Sequence, residues 1–294
     1  MLRHMQGESA PRTNTILLAK TPNRIYTETM IQPDNSTIIR LAMEQSAFDS
    51  NCSPEDFLRS ENVFCESVPN ERAHRYLALP LVCDLTSYGN NVVVSARADL
   101  LPELKALINS QDMYKWFETP FLYKLNELLA KTDSRVCFMA EYFLPDADKI
   151  MMLAKEVEQS HFPYELRVLS QKDFEGLYTA QWSNALCEKR RNLDVLGIGA
   201  YDKGTLVGFA GSSADAENFW QIGVDVLPEY RRNGIASVIT NRLAKEIFEH
   251  GKIPFYCAAW SNIKSVRNAI RSGFKPGWMQ LSAKANSYIE GMIH

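Results

Sequence analysis

Apolar and polar positions along this chain repeat with two periods, and each change of period marks an element. In Gln221–Val226 the apolar Ile222, Val224 and Val226 alternate with Gln221, Gly223 and Asp225, which predicts a strand with two unlike faces. After Pro228 the period lengthens: Ile235, Val238, Ile239, Leu243 and Ile247 recur at three- and four-residue steps up to His250-Gly251, which predicts a helix. Val195–Tyr201 and Thr205–Ser213 flank Asp202-Lys203-Gly204 and read as a hairpin. Glu165–Leu169 and Ile253–Ala259 read as further strands, and Gln171–Arg191 as a charged helical region. Ser261-Asn262 can cap a helix carrying Val266, Ala269 and Ile270, which Gly273 ends.

The first half gives a different pattern. Helices are predicted at Ser36–Phe48, Asp99–Asn109 and Phe121–Lys131, and strands at Leu79–Leu85, Asn91–Ala96 and Arg135–Phe143. Leu144-Pro145-Asp146 breaks the last strand, and the polar stretch up to Ser160 reads as a connection. Of the 14 glycines only Gly7 and Gly89 precede residue 160, so the two halves are built differently. With 294 residues, two units are expected, 1–155 and 156–294.

Composition narrows the function classes. A hydrophobic fraction of 46% is that of a globular chain with a real core. The formal net charge is −3 and no long Lys/Arg run occurs, which argues against nucleic acid or an anionic membrane as partner. The six cysteines are scattered, without a C-x-x-C pair or nearby histidines, so no metal site is expected. Met1 to Thr13 is polar and lacks the apolar core of a signal peptide, and no stretch is long enough to cross a bilayer. Reduced thiols and a cytoplasmic location are the expectation.

The segment with chemistry in it is Arg231-Arg232-Asn233-Gly234-Ile235-Ala236, at a strand-to-helix turn. There the first backbone N–H groups of the helix have no partner and point outward, an anion site by construction. Gly234 and Ala236 lack the bulk that would hold a pyrophosphate off, while Arg231 and Arg232 add charge. A plain surface turn with solvated arginines is the competing reading of these six residues alone.

The longer run Ile222-Gly-Val-Asp-Val-Leu-Pro-Glu-Tyr-Arg-Arg-Asn-Gly-Ile-Ala236 resembles the central motif of the GNAT acetyltransferases, and Asn262-x-x-Ser265 with Gly273-Phe274 resembles the family's next segment. The resemblance covers about Tyr164 to Ala283. It implies an α/β fold with a mixed, mostly antiparallel sheet and flanking helices, splayed at two strands to admit a pantetheine arm, preceded here by a smaller α/β unit that could itself be a diverged copy. It implies acetyl-coenzyme A as co-substrate and an amine as acceptor. By position, Arg231–Ala236 would take the pyrophosphate, Val224 and Val226 the pantetheine and acetyl carbonyl, and Asn262 and Ser265 the cofactor arm. A strand N–H freed by the splay would serve as an oxyanion donor.

An attacking amine must be neutral, so a base is expected. Asp225, on the polar face of the motif strand, and Glu217, just before it, are the carboxylate candidates, with Ser265 as a hydroxyl candidate. Each has an ordinary structural reading as well. Position 269, where the family often carries a tyrosine acid, is Ala269. Tyr256 and Ser265 are the nearest hydroxyls that could replace it. Trp182, Trp220, Trp260 and Tyr256 read as core first and acceptor lining second, while Gly197-Ile-Gly199 belongs to a hairpin strand; His74 and His161 look isolated. The leading expectation is an N-acetyltransferase acting on a small-molecule amine. A non-catalytic acyl-coenzyme A sensor and a transferase for a protein amine stand beside it, and the oligomeric state is open.

Overall fold

The alternating segments of both halves join a single sheet. The computed structural model describes residues 33–293, so Met1 to Thr13 lies outside it. Its strands are β1 (Val63–Glu66), β2 (Cys83–Ser87), β3 (Val93–Ala96), β4 (Ser134–Pro145), β5 (Glu165–Ser170), β6 (Asp194–Asp202), β7 (Thr205–Ser213), β8 (Phe219–Val226), β9 (Ile253–Ala259) and β10 (Phe274–Ala285). They lie in the order β1-β3-β2-β10-β4-β9-β8-β7-β6-β5. The sheet is mixed and mostly antiparallel, with β1/β3 and β8/β9 parallel. The helices are α1 (Asn35–Ser50), α2 (Leu101–Ile108), α3 (Thr119–Leu129), α4 (Ala147–Gln159), α5 (Ile235–Glu249), α6 (Ile263–Arg271) and α7 (Asn286–Ile293).

Helices cover the sheet because each buries one apolar stripe. Ile235, Ile239, Leu243 and Ile247 of α5 are buried in the larger core together with Ile198, Val207 and Ile222 of the sheet. Leu104 and Ile108 of α2 and Leu125 and Leu129 of α3 bury against Cys83, Leu85, Val94 and Leu281. Gly208 lets α5 approach the sheet closely, since a Cβ there would lie 2.6 Å from the Ile235 side chain.

Several expectations need correction. The polar stretch up to Ser160 is not a loose connection but α4, capped by the Asp146 side chain and burying Ala147, Ile150 and Ala154. Its three buried positions fall at helical spacing among charged residues, which disguised it as a linker. The 155/156 cut passes through this helix, and β4, from before the cut, sits between β9 and β10 in the middle of the sheet. The charged region Gln171–Arg191 forms short 3-10 turns at Gln171–Leu177, Ala180–Trp182 and Glu188–Leu193, not one regular helix. The strands β1 and β10 and the helix α7 are additions to the sequence reading.

The first half is also tied down by polar contacts. Arg75 N–H donates to the Asp215 carbonyl at 2.8 Å. Arg190 forms a buried ion pair with the Asp215 side chain, which also accepts from the Ser213 hydroxyl at 3.1 Å.

Candidate active site

Strands β8 and β9 separate partway along their length. They are in register from Phe219↔Ile253 to Ile222↔Tyr256 and no further. Beyond that point β8 continues beside β7 as far as Val226, and β9 continues beside β4 as far as Ala259. The two strand ends therefore face each other across a gap. Leu227 N–H donates to Val207 C=O in β7. Successive residues of a strand point their backbone groups to alternate sides, so Asp225 and Gly223 also face β7, while Val226 and Val224 face the gap. The sequence-predicted pair Val224 and Val226 is thus the pair whose N–H groups open there. Val226 C=O accepts from Arg231 Nε at 3.0 Å, which fixes that arginine across the mouth of the gap.

Arg231, Arg232, Asn233 and Gly234 are exposed and lead into α5. Gly234 has φ +77°, a left-handed conformation that glycine adopts freely, and a Cβ added there would meet nothing within 4 Å. Arg232 holds a positive φ of 69° as well. The first hydrogen bond of the helix runs from Val238 N–H to Gly234 C=O, so the N–H groups of Ile235, Ala236 and Ser237 lack an intrahelical acceptor. No acidic residue lies in the first turn to compete with an anion. The open space above Gly234, the free N–H groups and two arginines fit a pyrophosphate.

Asn262 caps α6, its side chain accepting from Ser265 N–H at 3.1 Å. Ser265 Oγ lies 2.7 Å from the hydroxyl of Tyr256, which is buried below it. Burial pushes the Tyr256 hydroxyl above its usual pKa, against the hydrogen bonds from Ser265 and Asn268. Tyr256 is the last residue of β9 still paired with β8, so this hydroxyl pair stands at the apex of the gap. Ala269 is fully buried in α6.

The carboxylate candidates are not brought together. Asp225 accepts from Asn184 N–H at 2.8 Å, Asn184 Nδ2 at 2.6 Å and Ala185 N–H at 3.0 Å. Those bonds dock the 182–186 segment on the sheet, at a place where Gly211 has no Cβ to collide with Ala185 C=O. Glu217 is exposed two residues before the opposite end of β8, and from Phe219 to Val224 alone the strand runs roughly 17 Å at about 3.3 Å per residue. Strand geometry, invisible to proximity in sequence, separates it from the gap.

Sequence reasoning missed the residues on the face of the sheet opposite α5. His74 is not isolated: its Nδ1 lies 2.6 Å from Asp49 Oδ2, and its ring stacks on Tyr76 with centroids 5.0 Å apart. Burial alone would lower the His74 pKa, but the Asp49 charge and hydrogen bond outweigh it and hold the ring above its usual value. Tyr142 stacks on Trp278 at 4.6 Å, and Phe255 packs against His74, Tyr142 and Trp278. Gln221 Nε2 donates to Cys257 Sγ at 2.8 Å beside them. Trp182 is core, as expected, whereas Trp260 remains half-exposed just past the end of β9.

Among the described residues, no cluster of three His, Cys, Asp or Glu side chains could hold a metal ion, and no helix is long and apolar enough to cross a membrane. No curated protein matches the sequence. Solved structures with a similar arrangement include a GCN5-related N-acetyltransferase-like protein from Streptococcus suis, 20% identical, covering 56% of this chain and 68% of its own, with a TM-score of 0.40. A GCN5-related N-acetyltransferase from Kribbella flavida is 17% identical, covering 55% of this chain and 63% of its own, with a TM-score of 0.42. A tandem GNAT protein from the clavulanic acid biosynthesis pathway is 12% identical, covering 54% of this chain and 57% of its own, with a TM-score of 0.40. The chain thus spans about two thirds or less of the length of these proteins, and likenesses this low carry no weight by themselves. The sequence model of the family described as GNAT acetyltransferase matches residues 111–277, more than half of the chain and the whole stretch from α3 through the strand gap to the start of β10. On that match this chain belongs to the GNAT acetyltransferase family.

Proposed function

We propose that this chain moves an acetyl group from acetyl-coenzyme A to a primary amine of a small molecule. The observation that carries the reading is the gap between β8 and β9 opening directly beside the uncapped start of α5. In this reading the N–H groups of Ile235, Ala236 and Ser237, with Arg231, Arg232 and Asn233, bind the pyrophosphate, and Gly234 leaves room for it. Val224 and Val226 hold the pantetheine arm by strand-like hydrogen bonds, and a gap-facing N–H donates to the thioester oxygen as charge develops there. Asn262 and Ser265 contact the arm from the α6 side.

Proton handling follows from what is free. Asp225 has its oxygens engaged by three donors, so it serves to order the 182–186 segment, and the amine loses its proton to water. The departing thiolate, with a parent pKa of about 8.5, needs only late protonation. The Tyr256–Ser265 pair at the apex supplies it, replacing the tyrosine that Ala269 lacks. The opposite face of the sheet, with Tyr76 and Tyr142 from the first half, receives the acceptor, and residues 1–155 thereby set substrate choice while 156–294 hold the cofactor. Turnover of acetyl-coenzyme A against a panel of small amines tests the reading. Amine-dependent release of coenzyme A supports it, and tight binding of acetyl-coenzyme A without release for any amine or peptide would favour a sensing role.

A further inference from the structure

Two of the cysteines that the sequence scatters are brought together at the β1 edge of the sheet. Cys52 follows the last turn of α1, where Asn51 takes a left-handed φ of 57° and Cys52 N–H donates back to Ala47 C=O at 3.1 Å. The Asn51 side chain reaches across, and its Nδ2 donates to Glu66 C=O in β1 at 3.0 Å. That bond sets the 51–52 turn beside residues 65–66. Successive side chains of a strand point to opposite faces, so Cys65 shares a face with Val63. Val63 and Cys52 both pack on the small core of Met43, Ala47, Phe57 and Val93, while Phe64 packs on the other core with α2 and α3. The two sulfurs thereby meet, and the Cys52 thiol donates a hydrogen bond to Cys65.

Both thiols are half-buried, within reach of a small solute. The hydrogen bond from Cys52 holds the Cys65 pKa below its usual value, against burial and the Asp56 charge, and the same bond holds Cys52 above its own. Arg59 pairs with Asp56 at 2.9 Å and offsets part of that charge. Cys65 is therefore the sulfur that ionises first, with Cys52 as its neighbouring donor. An accessible sulfur of lowered pKa with a second sulfur in contact has the parts of a redox-sensing pair. Where a compartment keeps thiols reduced, pairs that do oxidise act transiently.

We propose that Cys52 and Cys65 are a peroxide-sensitive site whose reversible oxidation to a disulfide fastens the end of α1 to the edge strand β1. The Cys65 thiolate attacks one oxygen of hydrogen peroxide and the O–O bond breaks, leaving Cys65 as a sulfenic acid; the departing hydroxide takes up the proton that Cys65 had released. The Cys52 sulfur then attacks the Cys65 sulfur, the S–O bond breaks, and the oxygen leaves as water with the Cys52 proton. Two thiols and one peroxide thus give one disulfide and two waters, with two electrons passing from the sulfurs to the peroxide oxygens. The new bond closes the loop from 52 to 65, which carries the fully buried Phe57. The same helix end also holds the segment before Tyr76, as Gln45 Nε2 donates to Arg72 C=O at 2.9 Å and Asp49 accepts from His74 N–H at 2.8 Å. The inference stands apart from the transfer reading, since neither cysteine is assigned to cofactor or acceptor.

In the test, the reduced full chain meets hydrogen peroxide, the remaining thiols are alkylated, and a digest made without reduction is read by mass spectrometry. The expected product is a Cys52–Cys65 linked peptide pair lacking two hydrogens and opened again by dithiothreitol. It should form about tenfold or more faster than Cys137 is oxidised, because Cys137 is also half-buried but burial pushes its thiol pKa up. Cys52→Ser keeps a hydroxyl donor beside Cys65, so there Cys65 should collect a sulfenic acid that dimedone captures, whereas in Cys65→Ser the Cys52 thiol should stay free. The linked chain should melt about 5 °C above the reduced one, a rise absent from both variants. Linkage in the parent chain needs no substitution, so the site is tested even if a serine variant fails to fold. Peroxide treatment that oxidises Cys52 and Cys65 no faster than Cys137, or that yields no linked peptide, would overturn the site. A linked chain that melts like the reduced one would overturn the fastening of α1, and dimedone capture at Cys52 in place of Cys65 would overturn the assigned order of attack.

Discussion

The proposed cofactor end and the proposed acceptor face of this protein are built in opposite ways. At the cofactor end, Val224 to Ala236 form one unbroken run of strand, turn and helix start, and the anion site is made of their backbone. The acceptor face collects His74 and Tyr76, Tyr142, Asn184, Cys257 and Gln280 from segments spread over more than two thirds of the chain, held by β4 lying between β9 and β10. A site made of local backbone is readable from a short motif because helix termini and left-handed glycines follow local rules. One made of side chains from distant strands needs the topology first. Substitutions on the acceptor face should therefore act through stability and substrate choice, and those at the cofactor end through affinity alone.

The largest effect expected on this account is at Arg190, which joins the 188–193 turn to buried Asp215 and thus to the Arg75 segment. Arg190→Met leaves a carboxylate uncompensated in the interior, and denaturant melts should show a loss of about 3–5 kcal/mol. A loss below 1 kcal/mol would mean that the two halves are not coupled there.

Next comes the pH response of Asp84. Burial raises its pKa from 3.8 to about 6, against the pull of Lys284, Gln280 and Ser282. Between pH 4 and 6 the folded chain keeps a proton there that the unfolded chain has lost, so this group's contribution to stability is full below pH 4 and falls as pH rises to 6. The span is on the order of 3 kcal/mol, and Asp84→Asn should remove that slope from the pH dependence of unfolding. An unchanged slope in the variant would place the titration elsewhere.

A smaller effect is predicted at Asp225. Asp225→Asn keeps the shape but loses charge-assisted bonds to the 184–185 backbone, which should cost about 1–3 kcal/mol and raise KM for the amine more than it lowers kcat. If kcat collapses with KM unchanged and a new pH dependence, Asp225 is a base after all.

How much of this was legible in the sequence follows the same division. The hairpin, β8, α5, β9 and the Asn262 cap came out within a few residues, because each has its own period or capping signal. The helix α4 did not, since its buried Ala147, Ile150 and Ala154 are outnumbered by charged and exposed methionine positions that read as linker. Asp225 stood as a base candidate with a structural reading beside it, and the pattern could not choose between them because its three donors come from 41 and 40 residues upstream. His74 looked isolated for the same reason, as Asp49 lies 25 residues away in another element. Nothing in the pattern around Ser134–Pro145 says that this strand enters the middle of the sheet; pairing partners are a property of the fold and not of the strand.

The account's central claim is that the start of α5 beside the β8/β9 gap is the cofactor site, and calorimetric titration of coenzyme A into the full chain and into Gly234→Val tests it most directly. A Cβ at φ +77° would strain the turn and stand in the open space a pyrophosphate needs, while touching no part of the core. The account predicts clear binding to the parent and a loss of about 100-fold or more in the variant, roughly the 2.7 kcal/mol that two orders of magnitude represent, in a chain that still folds and melts cooperatively a few degrees lower because of the strained turn. Equal affinity for both, in a variant that is folded at the temperature of the titration, would contradict it.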